Sequence, residues 1–200
     1  SNYVTSEAGS DAKAQPNRIE LHLKNVPNGA MSQLLFNQPP LQSLMRIDGP
    51  QGTFFVRDNQ RPLLFLATGT GFAPVKAMVE QLLGQQSDRA IHIIWGNRFA
   101  SDFYSELPLI WSQTHAHVAY TPVVSRPDEH WTGATGYVQT IAAEQHVSLV
   151  DFDVYACGSL AMIESAQPAL AAIGLLDSHF YADAFVASVP AITPSKAAAL

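Results

Sequence analysis

The 200-residue sequence holds a single cysteine, Cys157. One thiol cannot form an internal disulfide, a four-thiolate metal site or a self-contained four-cysteine iron–sulfur cluster. Basic residues are also scarce: 11 Lys and Arg stand against 17 Asp and Glu, for a formal net charge of −6. A protein that neutralises a nucleic-acid backbone needs the opposite balance, so nucleic acid is not an expected partner. No apolar run approaches the roughly 20 residues that span a bilayer. The start also lacks the basic-then-apolar layout of a signal peptide, and the expected compartment is the cytoplasm.

What is present suits a folded protein, because 47% hydrophobic and 14% charged residues supply a substantial core. Residues 1–17 are polar and small, with Gly9 and Pro16, and read as a flexible loop. From Arg18 to residue 60 the pattern is β-rich. Ile19, Leu21 and Leu23 alternate with Glu20, His22 and Lys24, the period of a half-buried strand. Met31–Phe36 reads as a short helix stopped by Pro39 and Pro40, and further strands are expected at Leu44–Ile47 and Thr53–Val56.

Beyond Pro62 the rhythm becomes strand then helix. Strands are expected at 63–67, 91–95, 118–124 and 153–156, with a last one near Phe180. Helices are expected from Pro74 to Leu83, 101–112, 138–146 and 161–173. The run Leu63-Leu64-Phe65-Leu66-Ala67 is continuously apolar, as in a parallel strand covered on both faces. Such alternation predicts an α/β domain over 61–186, a doubly wound parallel sheet, with a peripheral tail at 187–200.

In such a sheet, ligands bind where strand order reverses, beyond the carboxyl ends of the strands. The first strand ends in Thr68-Gly69-Thr70-Gly71-Phe72-Ala73-Pro74. Glycines there let backbone approach a pyrophosphate, and the helix start offers unpaired N–H groups. A Gly-Thr-Gly turn alone is equally a tight strand–helix connection. The other strands end in Gly96-Asn97-Arg98, in Ser125-Arg126 followed by Gly136-Tyr137, and in Cys157-Gly158-Ser159 with Met162 one turn on. Each is weak alone; four together describe a nucleotide crevice. His115 and His117 stand two apart with no third ligand apparent, and no metal is expected.

Taken as a set, these strings make the chain resemble the ferredoxin–NADP reductase superfamily, in particular bacterial flavin reductases, deoxyhexose reductase components and oxygenase reductases. Its carriers are Gly-Thr-Gly-Phe-Ala-Pro at 69–74, Trp-Gly-Asn-Arg at 95–98 and Ser-Arg-Pro-Asp-Glu at 125–129. Trp-Thr-Gly-x-x-Gly-Tyr at 131–137, Cys-Gly-x-x-x-Met at 157–162 and Phe-Tyr-x-Asp-Ala-Phe at 180–185 complete the set. The resemblance implies hydride transfer between NADH or NADPH and a flavin, FAD in the first instance. It implies that Gly69, Thr70, Gly71, Phe72 and Pro74 lie against the dinucleotide, with Cys157 and Gly158 beside the nicotinamide. It places Gly96, Arg98, Ser125, Arg126, Tyr137 and Met162 among the cofactor-binding loops, the two arginines and Ser125 toward the adenosine end. Phe185 resembles the aromatic that covers the flavin face, so Cys157 and Phe185 are the residues expected beside the reacting atoms.

Residues 18–60 are similar to the second half of the family's antiparallel flavin-binding β-barrel, a partial domain. Gly29, Met31 and Ser32 match its Gly-x-x-Ser signature, and Gly49-Pro50-x-Gly52-x-Phe54 its next turn. The family's Arg-x-Tyr-Ser signature is absent and belongs just before Ser1, so this chain alone is expected to bind FAD weakly or not at all. Thr68 stands where many relatives have glycine. Ala134 and Thr135 occupy the stretch where NADP-selective relatives carry a second Arg, which leaves the choice of dinucleotide open with a tilt to NADH. The implied partner is an electron acceptor, for which an iron–sulfur domain or protein is the candidate. Two other readings remain: a reductase that uses free flavin as substrate, and a non-catalytic nucleotide-binding module.

Overall fold

A computed structural model describes residues 3–6, 19–37, 42, 44, 46, 49 and 52–186. Strand β1 (Tyr3–Ser6) pairs antiparallel with β2 (Ile19–His22), Tyr3 opposite His22. This corrects the reading of residues 1–17 as loop throughout, since β2 supplies the hydrogen-bonding edge that makes a short polar segment extended. A single turn, α1 (Ala30–Ser32), widens into a π-turn over Gln33–Asn37. Thr53–Val56, expected as a strand, is a run of bends. Its residues have side-chain rather than strand partners: Phe54 and Val56 pack on the core, and Arg57 lies over the Phe55 and Tyr181 rings. The strand expected at 44–47 and the tail at 187–200 fall wholly or partly outside the described residues.

The rest is one parallel sheet. In chain order it contains β3 (Leu63–Thr68), α2 (Phe72–Gly84), β4 (Ile91–Asn97), α3 (Leu107–Thr114) and β5 (Val118–Val124). It continues with β6 (Ala134–Thr135), α4 (Val138–Gln145), β7 (Asp153–Ser159), α5 (Leu160–Ala171) and β8 (Phe180–Phe185). The spatial order β6-β5-β4-β3-β7-β8 reverses between β3 and β7, and every pairing is parallel.

Alternation within β3 builds two cores. Leu63, Phe65 and Ala67 join Val75, Val79 and Trp111 on the side of α2 and α3. Leu64 and Leu66 join Ile141, Ile163 and Leu170 on the side of α4 and α5. All five β3 residues are fully buried, which is why the strand reads as an unbroken apolar run rather than an alternating one.

Two helices differ from expectation. α2 begins at Phe72, ahead of Pro74, after a 3₁₀ turn over Gly69–Gly71. Pro74 loses nothing as its third residue, because the first four N–H groups of a helix have no intrahelical partner. The helix expected at 101–112 is split, with a 3₁₀ turn over Ala100–Asp102 and α3 starting only at Leu107. Between them Phe103 is extended and packs edge-on to Trp95 and flat on Trp131, while Tyr104 turns to His22. Those partners pull adjacent rings apart and prevent a continuous helix.

At the amino-terminal end of the sheet a polar clamp fixes the incoming chain. Arg89 donates to the carbonyls of Arg61 at 2.8 Å and Arg57 at 3.1 Å and to Asn59 Oδ1 at 2.9 Å. Asp153, fully buried, accepts from Asn59 at 2.8 Å and meets His179 Nδ1 at 2.8 Å.

A second polar contact lies between β4 and the end of α4: His92 Nδ1 meets His146 Nε2 at 2.9 Å, and His92 Nε2 meets Thr121 Oγ1 at 2.9 Å. Burial, with His146 adding to it, pulls His92 from the ordinary 6.5 down to about 4. The unfolded chain takes that proton near pH 6.5, so between pH 6.5 and 4 the unfolded state binds more protons and stability falls as pH falls. This side chain contributes on the order of 2–3 kcal/mol of the loss. Urea unfolding at pH 7 and pH 4.5 should show a smaller acid loss for His92→Gln than for the parent; identical losses would refute the assignment.

Candidate functional site

Strand order reverses between β3 and β7, the place where sheets of this kind bind ligands, and the two carboxyl ends touch. A Cβ on Gly71 would fall on the Cys157 carbonyl, and one on Gly158 would fall on the Thr68 hydroxyl. Gly158 also has φ +133°, a conformation that side chains rarely adopt. Thr68, not among the residues expected at the site, accepts the Ser159 N–H at 3.0 Å through Oγ1. A hydroxyl at this strand end thus bridges the two strands. The only advance signal was its position, beside the glycine turn.

The turn itself hangs on an aromatic stack. Trp95 Nε1 donates to the Gly69 carbonyl at 2.9 Å. The Phe72 ring stacks on Trp95 at 4.3 Å between centroids and is fully buried. Phe72 therefore faces the core beneath the loop rather than the crevice, and Pro74 is buried beside it. Met162 is likewise turned into the core, at 6% exposure. Each of the three is buried on its helix and packs beneath the strand-end loops.

Three helix starts converge on the crevice side of the sheet. None of α2, α4 and α5 has an acidic residue in its first turn, so no carboxylate cancels the positive end of the helix dipole. Ser159 caps α5, accepting the Met162 N–H at 3.2 Å. Along the other arm, Ser125 N–H donates to the Asn97 carbonyl at 3.0 Å and Arg126 N–H to the Arg98 carbonyl at 2.8 Å. This ties the strand-end loops of β4 and β5 together. The Arg98 and Arg126 side chains are exposed, as is Tyr137 at the N-cap of α4. Gly96 is buried, and a Cβ there would strike Val138. On the far side of β7, Phe185 ends β8 in register with Ser159.

Cys157 is fully buried, and burial together with the neighbouring Asp183 pushes its thiol far above the ordinary value. It is a neutral sulfhydryl, unsuited to act as a thiolate nucleophile.

Residues 29–32 form their own small unit. Ser32 Oγ accepts the Val26 N–H at 2.9 Å and donates to the Lys24 carbonyl at 3.4 Å, so its hydroxyl shapes the turn from within. Met31 is 41% exposed, alongside exposed Leu21, Leu34 and Phe36. Among the described residues, no cluster of three metal-binding side chains occurs, and no helix is long and apolar enough to cross a membrane.

A parallel sheet with a glycine seam at its switch point, preceded by a small antiparallel unit, defines a two-part class of oxidoreductase. The chain belongs to the oxidoreductase NAD-binding domain family, whose model matches residues 65–168, and the oxidoreductase FAD-binding domain model matches residues 5–56. This is the ferredoxin-reductase type of architecture. Protein RfbI of Salmonella typhimurium is 50% identical over 92% of this chain and 54% of its own length. The CDP-6-deoxy-L-threo-D-glycero-4-hexulose-3-dehydrase reductase of Yersinia pestis is 50% identical over 85% of this chain and 52% of its own. Among solved structures, the Amycolatopsis cytochrome P450 reductase GcoB superposes with a TM-score of 0.75 at 22% identity, covering 92% of this chain and 59% of that one. The chain thus spans about half the length of the curated relatives it matches.

Two outcomes are expected. Gly71→Ala should cost about 1–3 kcal/mol in urea unfolding, since the new methyl meets backbone that cannot give way. Cys157 should resist alkylation at pH 8 in the folded chain and react fully in 6 M guanidinium; rapid labelling of folded protein would contradict its burial.

Proposed function

We propose that this chain binds NADH or NADPH along the crevice and hands its hydride to FAD, as the electron-input part of an NAD(P)H-dependent flavoprotein reductase. The observation that carries the reading is the seam of Gly71, Cys157 and Gly158, where two strand ends meet backbone against backbone, bridged by the Thr68 hydroxyl. Backbone bare at that point admits a flat ring and a pyrophosphate to closer approach than any other residue type would allow. The residues present fit the dinucleotide: uncancelled helix starts face its pyrophosphate, and Arg98, Ser125, Arg126 and Tyr137 line the adenosine end. Gly69, Thr70, Gly71, Cys157 and Gly158 take the nicotinamide end, with Phe185 as the aromatic closing the flavin side.

The fit to flavin rests on the exposed apolar surface of Leu21, Met31 and Leu34 and on the Gly29–Ser32 turn. When bound, the flavin supplies hydride acceptance from the dinucleotide and release of electrons onward. The protein's part is orientation, since the reacting atoms must come within roughly 3–3.5 Å. Cys157, fully buried, acts there through the backbone it carries, as a neutral and compact side chain that adds no charge at the seam. The electron acceptor is an iron–sulfur domain or protein, and a deoxysugar dehydrase system is one setting, by analogy with the Yersinia relative. Such chemistry draws on the cytoplasmic nucleotide pool.

Anaerobic mixing of flavin-loaded protein with NADH and with NADPH tests the reading through bleaching of the flavin band. One of the two should bleach it within seconds. Cys157→Ala should slow bleaching at least tenfold, because sub-ångström changes of ring position are costly, while nucleotide affinity changes less than threefold. No bleaching with either nucleotide would overturn the proposal.

A further inference from the structure

Strand β2 carries a polar side chain pair that the nucleotide crevice does not use. His22, only 8% exposed, meets Tyr104 Oη at 2.7 Å through Nδ1 and Glu20 Oε1 at 2.6 Å through Nε2. Lys76 of α2, 7% exposed, reaches Glu20 at 3.2 Å and Glu80 at 3.1 Å. Burial alone would raise the Glu20 pKa, but hydrogen bonds from His22 and Lys76 outweigh it and hold the group ionised. A carboxylate only accepts, so His22 Nε2 carries the proton and donates to Glu20. Nδ1 of the same ring meets the Tyr104 hydroxyl, so the imidazole is held on both sides.

Tyr104 does not stop at His22. Its ring packs edge-on to Trp95 with centroids 5.1 Å apart, and on Phe72 at 6.3 Å. Trp95 holds the Gly69 carbonyl. A continuous path therefore runs from Glu20 and His22, through Tyr104 and Trp95, to the Gly69–Gly71 turn. Glu20, His22 and Tyr104, with Leu21, Leu23 and Thr70, line a cavity of about 400 Å³ between β2 and that turn. β2 belongs to the stretch matched by the FAD-binding model and the turn to that matched by the NAD-binding model.

We propose that the Glu20–His22–Tyr104 chain is a positioning device that sets the spacing of the flavin-side strand β2 from the nicotinamide-side turn, and thereby the rate of hydride delivery. It rests on the function proposed above. The consequence is specific: loosening the chain changes how often the two rings reach reacting distance, and leaves the dinucleotide's own contacts intact. Tyr104 and His22 are positioning residues that touch neither reacting atom.

The test uses Tyr104→Phe, His22→Phe and the double variant in flavin-loaded protein. Each single variant should lower the limiting bleaching rate with the preferred nucleotide about tenfold, with the nucleotide dissociation constant within twofold of the parent. The double variant should fall no further than the worse single, because one device is being broken twice. An unchanged rate, a weakened affinity at unchanged rate, or multiplicative losses would each overturn the proposal. Amide hydrogen exchange on the 200-residue chain without flavin gives the second readout. Tyr104→Phe should speed exchange in β2 and in the Gly69–Gly71 turn, and leave β4 and β5 unchanged; no change in β2 and the turn counts against the device. If the parent itself is not bleached, the function reading fails, and the exchange result still decides whether the mechanical path exists.

Discussion

The approach of β3 and β7 at their carboxyl ends is the constraint on which the rest depends. Two glycines let these strand ends meet backbone against backbone, and the Thr68 hydroxyl bridges them. Because strand order reverses there, α2 and α5 leave the sheet on opposite faces, and both begin beside the same seam. A methyl group at Gly71 or Gly158 would push these strand ends apart.

Around that seam the two ends of the sheet are built from different materials. The amino-terminal end is closed by ion pairs and hydrogen bonds around buried Asp153 and Arg89, which anchor the chain arriving from residues 57–61. Removing one partner from such a cluster is costly, since the other charge is left buried. The carboxyl end is held by packed rings, with Phe72 stacked on Trp95 and Phe103 and Tyr104 edge-on to it, and Trp95 donates to the Gly69 carbonyl of the loop.

Much of the fold was legible because its signals are local. An apolar run of five, bounded by Pro62 and Thr68, can only be a strand buried on both sides, and β5 agrees with its expected limits at both ends. The glycine turn after β3 and the Cys-Gly pair after β7 were readable as strand-end loops for the same reason. Errors fell where distant partners decide. Residues 101–112 have helical composition, yet Phe103 and Tyr104 are claimed by Trp131 and His22. Tyr3–Ser6 have no strand pattern of their own, and only the β2 edge extends them. The inward orientation of Phe72 and Met162 is likewise set by distant packing, which a linear string does not reveal.

By itself, the sequence determined the alternation of strand and helix beyond Pro62, the exclusion of a four-thiolate metal site and the loops that end the main strands, since composition and period act over a few residues. Tertiary structure alone decided which loops share a seam, that the Cys157 thiol is buried and neutral, and that His22 reaches Tyr104 across 82 positions. Those outcomes depend on side chains meeting across long separations, where burial and hydrogen-bond geometry, rather than local propensity, set the energy.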